Sequence, residues 1–173
     1  MPFIIKAYYL NYLRHQYFMI EIERKFLVIS EAFKHEALKK TRIIQGFLNT
    51  NKERTVRVRL KGDLGFLTVK GKSSKDGLSR FEWEKEISKP EAEALLKLCE
   101  EGVIDKMRYE IKVADHLFEV DEFYGENEGL TMAEVELETE MEDFVKPSWL
   151  GEEVTGQVKY YNSILSKQPF NAW

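Results

Sequence analysis

Two carboxylates and one ammonium group stand at alternate positions in the stretch Glu21-Ile22-Glu23-Arg24-Lys25. Alternate side chains of a β-strand point to the same face, so Glu21, Glu23 and Lys25 would share one face of a strand. Two neighbouring carboxylates repel each other, and a divalent cation bound between them relieves that repulsion. The ammonium group of Lys25 would attract an anion to the same place. The stretch therefore indicates metal-dependent chemistry on an anionic substrate.

The same alternation of charged and apolar residues continues along the chain. Residues 55–61 and 66–72 carry basic side chains on their polar face, whereas 80–87 and 131–139 carry mostly glutamates there. Any one of these strands could simply expose its charges to solvent. Rows of like charge are nevertheless destabilising unless a neighbouring strand or a ligand compensates them. The blocks of charge over several strands therefore favour charged faces that meet one another.

The segments at 21–28, 42–49, 103–113 and 117–124 bring the prediction to about eight strands. Eight strands are enough to close a barrel with a lumen. If the charged faces point inward, the outward apolar positions and the helices form the hydrophobic core, which predicts an α+β fold. Helices are predicted over 31–40, 88–102 and 159–167, and a glycine-bounded loop over 151–156.

The charged positions fall into two groups with different chemistry. A basic wall suits a chain of phosphates, and a carboxylate cluster suits Mg²⁺ or Mn²⁺, which prefer oxygen ligands. The predicted basic wall consists of Arg57, Arg59, Lys70, Lys72, Lys106 and Arg108, and the predicted carboxylate cluster consists of Glu21, Glu23, Glu134 and Glu136. Charge neutralisation beside a metal is what phosphoryl transfer requires.

The composition excludes several other kinds of protein. The 173 residues suit one domain, and the formal net charge of −4 does not support nucleic-acid binding. A single cysteine excludes an intramolecular disulfide and a multi-cysteine zinc site. No stretch approaches the roughly 18 apolar residues of a membrane span, so no membrane partner is expected. A homodimer is one assembly that the sequence leaves open.

Residues 1–18 are aromatic and basic and contain no acidic residue. They either form a short helix packed on the domain or precede a natural start at Met19; the second interpretation is favoured because Met19 would begin the domain at its first strand. We therefore expect an extension over 1–18 and a single domain over 19–173. The segment has neither the long apolar run nor the cleavage site of a signal peptide, which predicts a cytoplasmic protein.

The Glu-x-Glu-x-Lys motif at 21–25 is followed by a series of charged motifs in a fixed order. These are Arg-Val-Arg at 57–59, Thr-Val-Lys-Gly-Lys at 68–72, Arg-Phe-Glu-Trp-Glu at 80–84, Lys-Met-Arg-Tyr at 106–109, Glu-Val-Asp-Glu-Phe at 119–123, Ala-Glu-Val-Glu-Leu at 133–137 and Lys-Tyr-Tyr-Asn-Ser at 159–163. A lone Glu-x-Glu-x-Lys motif would be weak evidence, but its combination with the later motifs is specific. Over residues 19–170 this ordered set resembles the CYTH domain, the family of triphosphate tunnel metalloenzymes.

The resemblance implies an eight-stranded antiparallel closed barrel that binds a triphosphate and one or two divalent metals in its lumen. It implies phosphate contacts from Lys25 and the basic wall, and metal or water ligands from the carboxylate cluster. The residues expected to take part in the chemical step are Lys25, Arg59 and Glu136. Glu82, Glu84 and Asp121 would either bind a second metal or orient the basic residues through ion pairs.

The expected activity is hydrolysis of inorganic tripolyphosphate to pyrophosphate and phosphate, as the short bacterial members of the family suggest. Adenylate cyclase activity on ATP is an alternative, as is hydrolysis of thiamine triphosphate or a nucleoside triphosphate. A non-enzymatic module that binds polyphosphate or a nucleotide is a third hypothesis. Fold alone does not choose among these activities.

Overall fold

Eight β-strands close into an antiparallel barrel in a computed structural model that describes residues 20–173. The predicted extension over 1–18 lies outside the described residues. Hydrogen-bonded neighbours follow the order β1-β5-β4-β3-β2-β6-β7-β8, and β8 pairs with β1 to close the ring. The strands are β1 (Ile20–Val28), β2 (Lys39–Asn49), β3 (Arg54–Lys61), β4 (Leu64–Ser73), β5 (Ser79–Ile87), β6 (Ile104–Val113), β7 (His116–Phe123) and β8 (Thr131–Glu136). The predicted closed barrel is confirmed.

The register of the strands directs the charged faces into the lumen. Opposed residues of an antiparallel pair point to the same side of the sheet. Lys25 on β1 lies opposite Glu134 on β8, and Arg108 on β6 lies opposite Asp121 on β7. Because side chains alternate, each of these inward charges is flanked along its strand by residues that point outward.

The main hydrophobic core lies outside the barrel wall. Phe26 and Phe118 project outward and pack with Phe33 and Trp149, all of them at most 2% exposed. The rings of Phe118 and Trp149 meet edge to face, with their centroids 5.6 Å apart. Outward apolar positions thus form the core, as expected, and they fix the strands whose other face carries charge.

A second apolar cluster fills one end of the barrel. Phe123 and Met132 share the inward face with Lys106 and Asp121, and they pack against Leu165 near the C-terminus. The apolar cluster excludes water from the base of the lumen and leaves the charged residues above it.

Short helices cover the barrel. They are α1 (Phe33–Glu36), α2 (Lys89–Leu96) and α3 (Asn162–Leu165), with 3-10 turns at Gly125–Asn127, Val158–Tyr160 and Phe170–Ala172. Helix α2 begins with a capping box, in which the Ser88 hydroxyl accepts from the Glu91 amide and the Glu91 carboxylate accepts from the Ser88 amide. No helix among residues 20–173 is long and apolar enough to cross a membrane.

Several boundaries differ from the sequence prediction. The helix predicted over 88–102 ends at Leu96, and the strand predicted over 131–139 ends at Glu136. The helix expected over 31–40 is a single turn, because β2 begins at Lys39 and pairs with β6 from that residue onward. The loop expected over 151–156 contains β9 (Leu150–Glu153), which adds to the end of β1. The helix expected over 159–167 is reduced to a 3-10 turn and the four residues of α3.

Candidate active site

A cavity of about 1090 Å³ occupies the lumen, and all eight barrel strands contribute side chains to its lining. The lining extends from the β6–β7 turn at Asp115 to the C-terminal segment at residues 161–164. Every predicted site residue except Asp121 lines this cavity. Residues far apart in the sequence are therefore brought together as the charge pattern predicted.

Lys25 lies between two carboxylates. Its Nζ is 3.0 Å from Glu23 Oε1 and also donates to Glu134. Burial would lower the pKa of Lys25, but the charges of Glu134 and Glu23 outweigh it and raise that pKa. Burial would likewise raise the pKa of Glu134, but Lys25 and Arg108 hold it well below its usual range. Both groups are therefore charged at neutral pH.

Arg80 is a site residue that the sequence prediction missed. Its Nε donates to Glu21 Oε2 at 2.9 Å, and its terminal nitrogen donates to Glu23 Oε1 at 2.8 Å. Lys70 Nζ donates to the same Glu21 oxygen at 3.0 Å. The available signal was the alternation of 80–84, which puts Arg80 on the same face as Glu82 and Glu84. Arg80 orients the two glutamates that open the Glu-x-Glu-x-Lys motif.

Neighbouring cations of the basic wall share carboxylate partners. Arg57 and Arg59 both donate to Glu84, at 3.1 Å and 3.0 Å. Burial lowers the pKa of Arg59 to about 10, with a further contribution from the nearby charge of Arg57. Burial and Arg57 also lower the pKa of Lys70. Burial is the main cause of both shifts, and the contribution of Arg57 reflects neighbouring positive charge, which an anion in the lumen would offset.

Asp121 lies behind the cavity lining and joins two cations of the wall. It accepts from Lys106 at 2.6 Å and from Arg108 at 2.7 Å, and it is 2% exposed. Burial lowers the pKa of Lys106 to about 8, although Asp121 opposes that shift. This geometry fits the orienting role that was one of the two alternatives for Asp121.

Lys72 differs from the other members of the wall. Its side chain is 67% exposed and pairs with Glu53, whereas the Lys70 side chain is 9% exposed. Both residues border the cavity, but Lys72 lies where water screens its charge. Lys70 is therefore better placed than Lys72 to bind a buried phosphate.

Of the four members of the carboxylate cluster, Glu136 is the one whose side chain has no ion-pair or hydrogen-bond partner among residues 20–173. It lies opposite Glu23 in the β1–β8 register, and its side chain reaches the water of the lumen. Partial burial, followed by the charges of Glu21 and Glu119, raises the pKa of Glu136 to about 7. The contributions of the neighbouring glutamates to this shift reflect negative charge close to Glu136, which a cation would offset.

The family model of the CYTH domain matches residues 19–164. The chain belongs to the CYTH family. Two curated relatives carry the name inorganic triphosphatase. The protein from Acetivibrio thermocellus is 49% identical over 87% of this chain and 95% of its own. The protein from Nitrosomonas europaea is 39% identical over 86% of this chain and 97% of its own.

Solved structures support the same assignment. The crystal structure of the inorganic triphosphatase NE1496 superposes on this CYTH chain with a TM-score of 0.62. The two sequences are 34% identical, and the match covers 84% of this chain and 93% of that one. This chain therefore shares its barrel fold with that inorganic triphosphatase.

A divalent metal, which the CYTH family implies, fits the oxygen donors of Glu21, Glu23 and Glu136. Glu134 is a poorer candidate in this arrangement, because Lys25 and Arg108 already occupy its oxygens. Within residues 20–173, no group of three histidine, cysteine or carboxylate side chains is arranged to hold a metal by itself. Mg²⁺ commonly completes its shell with water and substrate phosphate, so an incomplete carboxylate set is compatible with it.

The raised pKa of Glu136 predicts how the stability of the metal-free protein depends on pH. A carboxyl group whose folded pKa exceeds its unfolded value stabilises the protein below the unfolded pKa of about 4.3, and this contribution is lost as pH rises through about 7. We expect Glu136→Gln to reduce the fall in melting temperature between pH 5 and pH 8, measured by circular dichroism with a chelator present. An equal fall in melting temperature between pH 5 and pH 8 for wild type and variant would contradict this prediction.

Proposed function

We propose that this CYTH protein hydrolyses inorganic tripolyphosphate to pyrophosphate and phosphate with the help of Mg²⁺ or Mn²⁺. The observation that carries the proposal is the juxtaposition in one cavity of a buried basic wall and an unpaired carboxylate. The names of the two curated relatives, which cover most of this chain, support the same activity.

The substrate would bind along the basic wall. Arg57, Arg59 and Lys70 present buried cations side by side; they share Glu82 and Glu84 as ion-pair partners, and Lys70 also pairs with Glu21. Phosphate oxygens are strong acceptors for guanidinium groups, and charged hydrogen bonds gain strength where water is excluded. The wall would bind the triphosphate and stabilise the charge that moves to the leaving pyrophosphate.

Lys25 and Glu136 would take part in the chemical step. Lys25 is held charged by Glu23 and Glu134, so its Nζ can donate to an oxygen of the transferring phosphoryl group. The free carboxylate of Glu136 can accept a hydrogen bond from the attacking water and align it for in-line attack. Arg59 would stabilise the charge on the phosphate oxygens during transfer.

A divalent metal would be held by Glu21, Glu23 and Glu136. When bound, it supplies Lewis-acid polarisation and partial neutralisation of the phosphates. Arg80 positions Glu21 and Glu23 through two hydrogen bonds, so it would fix the direction in which their remaining oxygen lone pairs point. Such outer-shell contacts commonly influence metal affinity.

The first test is turnover by the purified full-length chain. We expect phosphate release from tripolyphosphate with Mg²⁺ or Mn²⁺, none with a chelator, and a loss of at least about 100-fold in kcat for Glu136→Gln. A colorimetric phosphate assay measures this, and circular dichroism verifies the fold of the variant.

Absence of phosphate release with both metals from neutral to alkaline pH would overturn the proposed activity. ATP is the comparison substrate: cyclic AMP formed above the level of the Glu136→Gln variant would show cyclase activity instead. Tight binding of tripolyphosphate without turnover would show a binding module.

A matched pair of lysine variants tests the location of the substrate. We expect Lys70→Met to raise KM for tripolyphosphate by about tenfold or more, because it removes a buried charge–phosphate contact. Lys72→Met should change KM by less than about threefold, since an exposed and screened charge contributes little. Steady-state kinetics at fixed ionic strength measures both. An equal effect of the two variants would contradict binding along the buried wall.

A further inference from the structure

Gln45 is a buried polar residue that the triphosphatase mechanism above does not use. Its side chain is 0% exposed, and neither Oε1 nor Nε2 has a hydrogen-bond partner. The other buried polar side chains of residues 20–173, among them Lys70, Thr68 and Asn127, form hydrogen bonds. A buried amide without a partner is costly and infrequent in folded proteins, so it calls for an explanation.

The position of Gln45 places it beneath the basic wall. Gln45 lies directly opposite Arg59 in the β2–β3 register and opposite Ile104 in the β2–β6 register. Opposed residues have Cβ atoms about 4.5–5.5 Å apart and point to the same side, so the amide faces the lumen with Arg59. Gln45 does not itself line the cavity.

Arg59 carries the complementary unused group. Its terminal nitrogen donates to Glu84, but its Nε is buried and has no partner. A free N–H donor and a free amide acceptor therefore belong to neighbouring side chains. In the structure no hydrogen bond joins the Arg59 Nε–H to the Gln45 amide, while the Arg59 terminal nitrogen donates to both oxygens of Glu84.

The backbone that carries Gln45 is tightly fixed. A Cβ added to the adjacent Gly46 would lie 2.8 Å from Cys99 Cβ, which shows how closely the segment after α2 packs on β2. Gln45 therefore extends from a strand with little freedom to move. A side chain on such a rigid support can orient its neighbour.

We propose that Gln45 is a positioning residue for Arg59. When a triphosphate draws the Arg59 guanidinium away from Glu84, the Gln45 amide oxygen accepts the Arg59 Nε–H and fixes the plane of the guanidinium toward phosphate. A neutral amide suits this role, because it orients the guanidinium without neutralising the charge needed by the substrate. The proposal rests on the proposed function, in which Arg59 binds phosphate.

The test is a double-mutant cycle between positions 45 and 59. Gln45→Leu should raise KM for tripolyphosphate by about tenfold, with a smaller change in kcat. In an Arg59→Lys background, which has no Nε–H, Gln45→Leu should have no further effect on KM. In an Arg57→Lys background its tenfold effect should persist. If Gln45 only filled space, Gln45→Leu would change KM equally in the two backgrounds. An effect that depends on Arg59 and not on Arg57 would show that Gln45 acts through Arg59.

Two further variants test whether a rise in KM comes from altered side-chain volume at position 45 or from a Gln→Leu substitution at any position. Gln45→Met keeps a similar volume without the amide and should behave as Gln45→Leu does. Gln168→Leu makes the same chemical change at an exposed position and should leave KM unchanged. The melting temperature of Gln45→Leu should not fall, because the substitution removes an unpartnered buried amide.

The proposal is overturned if Gln45→Leu leaves KM unchanged, or if its effect is the same with Arg59 and with Lys at position 59. Failure of the proposed function is distinguishable, because the wild type would then release no phosphate. In that case titration calorimetry with tripolyphosphate on the same variants gives dissociation constants, and the same pattern of coupling decides the role of Gln45.

Discussion

The structure depends on keeping many buried charges compensated within one lumen. A buried charge without a partner costs several kcal/mol, so each cation of the lumen needs a carboxylate or a ligand. Lys25 between Glu23 and Glu134, and Asp121 between Lys106 and Arg108, show how completely some of these charges are paired. Such pairs support the barrel from within and hold the surrounding groups at defined positions.

Like charges lie side by side in two places, and these two places define the candidate site. Arg57 and Arg59 are neighbours that both pair with Glu84, and Arg57 also lies 3.8 Å from Glu82, while Glu136 faces other carboxylates without a cation. An anion beside the two arginines and a cation beside Glu136 would relieve both repulsions. A metal–triphosphate complex carries both charges, which connects the electrostatics of the lumen with the proposed substrate.

Two apolar clusters hold in place the strands that carry the charged side chains of the lumen. The outer core around Trp149 fixes the strands from outside, and the inner cluster around Phe123 closes the lumen at its base. The close contact between Gly46 and Cys99 likewise fixes β2 beneath the basic wall. Rigid walls allow the side chains to be oriented before substrate binds, which reduces the cost of reorganisation during the reaction.

The inward faces of the strands could be predicted because side-chain alternation is a local property of the sequence. Glu21, Glu23 and Lys25 share a face whatever the rest of the chain does. The pairing of Arg80 with Glu21 and the engagement of Glu134 by Lys25 could not be predicted, since they depend on barrel closure and register. The short α1 shows the reverse case, in which β2 pairing overrides local helix propensity.

The central claim is that a triphosphate replaces ion pairs inside the lumen. A crystal structure of the Glu136→Gln variant with tripolyphosphate tests it most directly, because the variant should retain the substrate. We expect phosphate oxygens within about 3 Å of Arg57, Arg59 and Lys70, with at least one guanidinium released from Glu84. Tripolyphosphate bound outside the barrel, or a lumen whose ion pairs are unchanged, would contradict the claim.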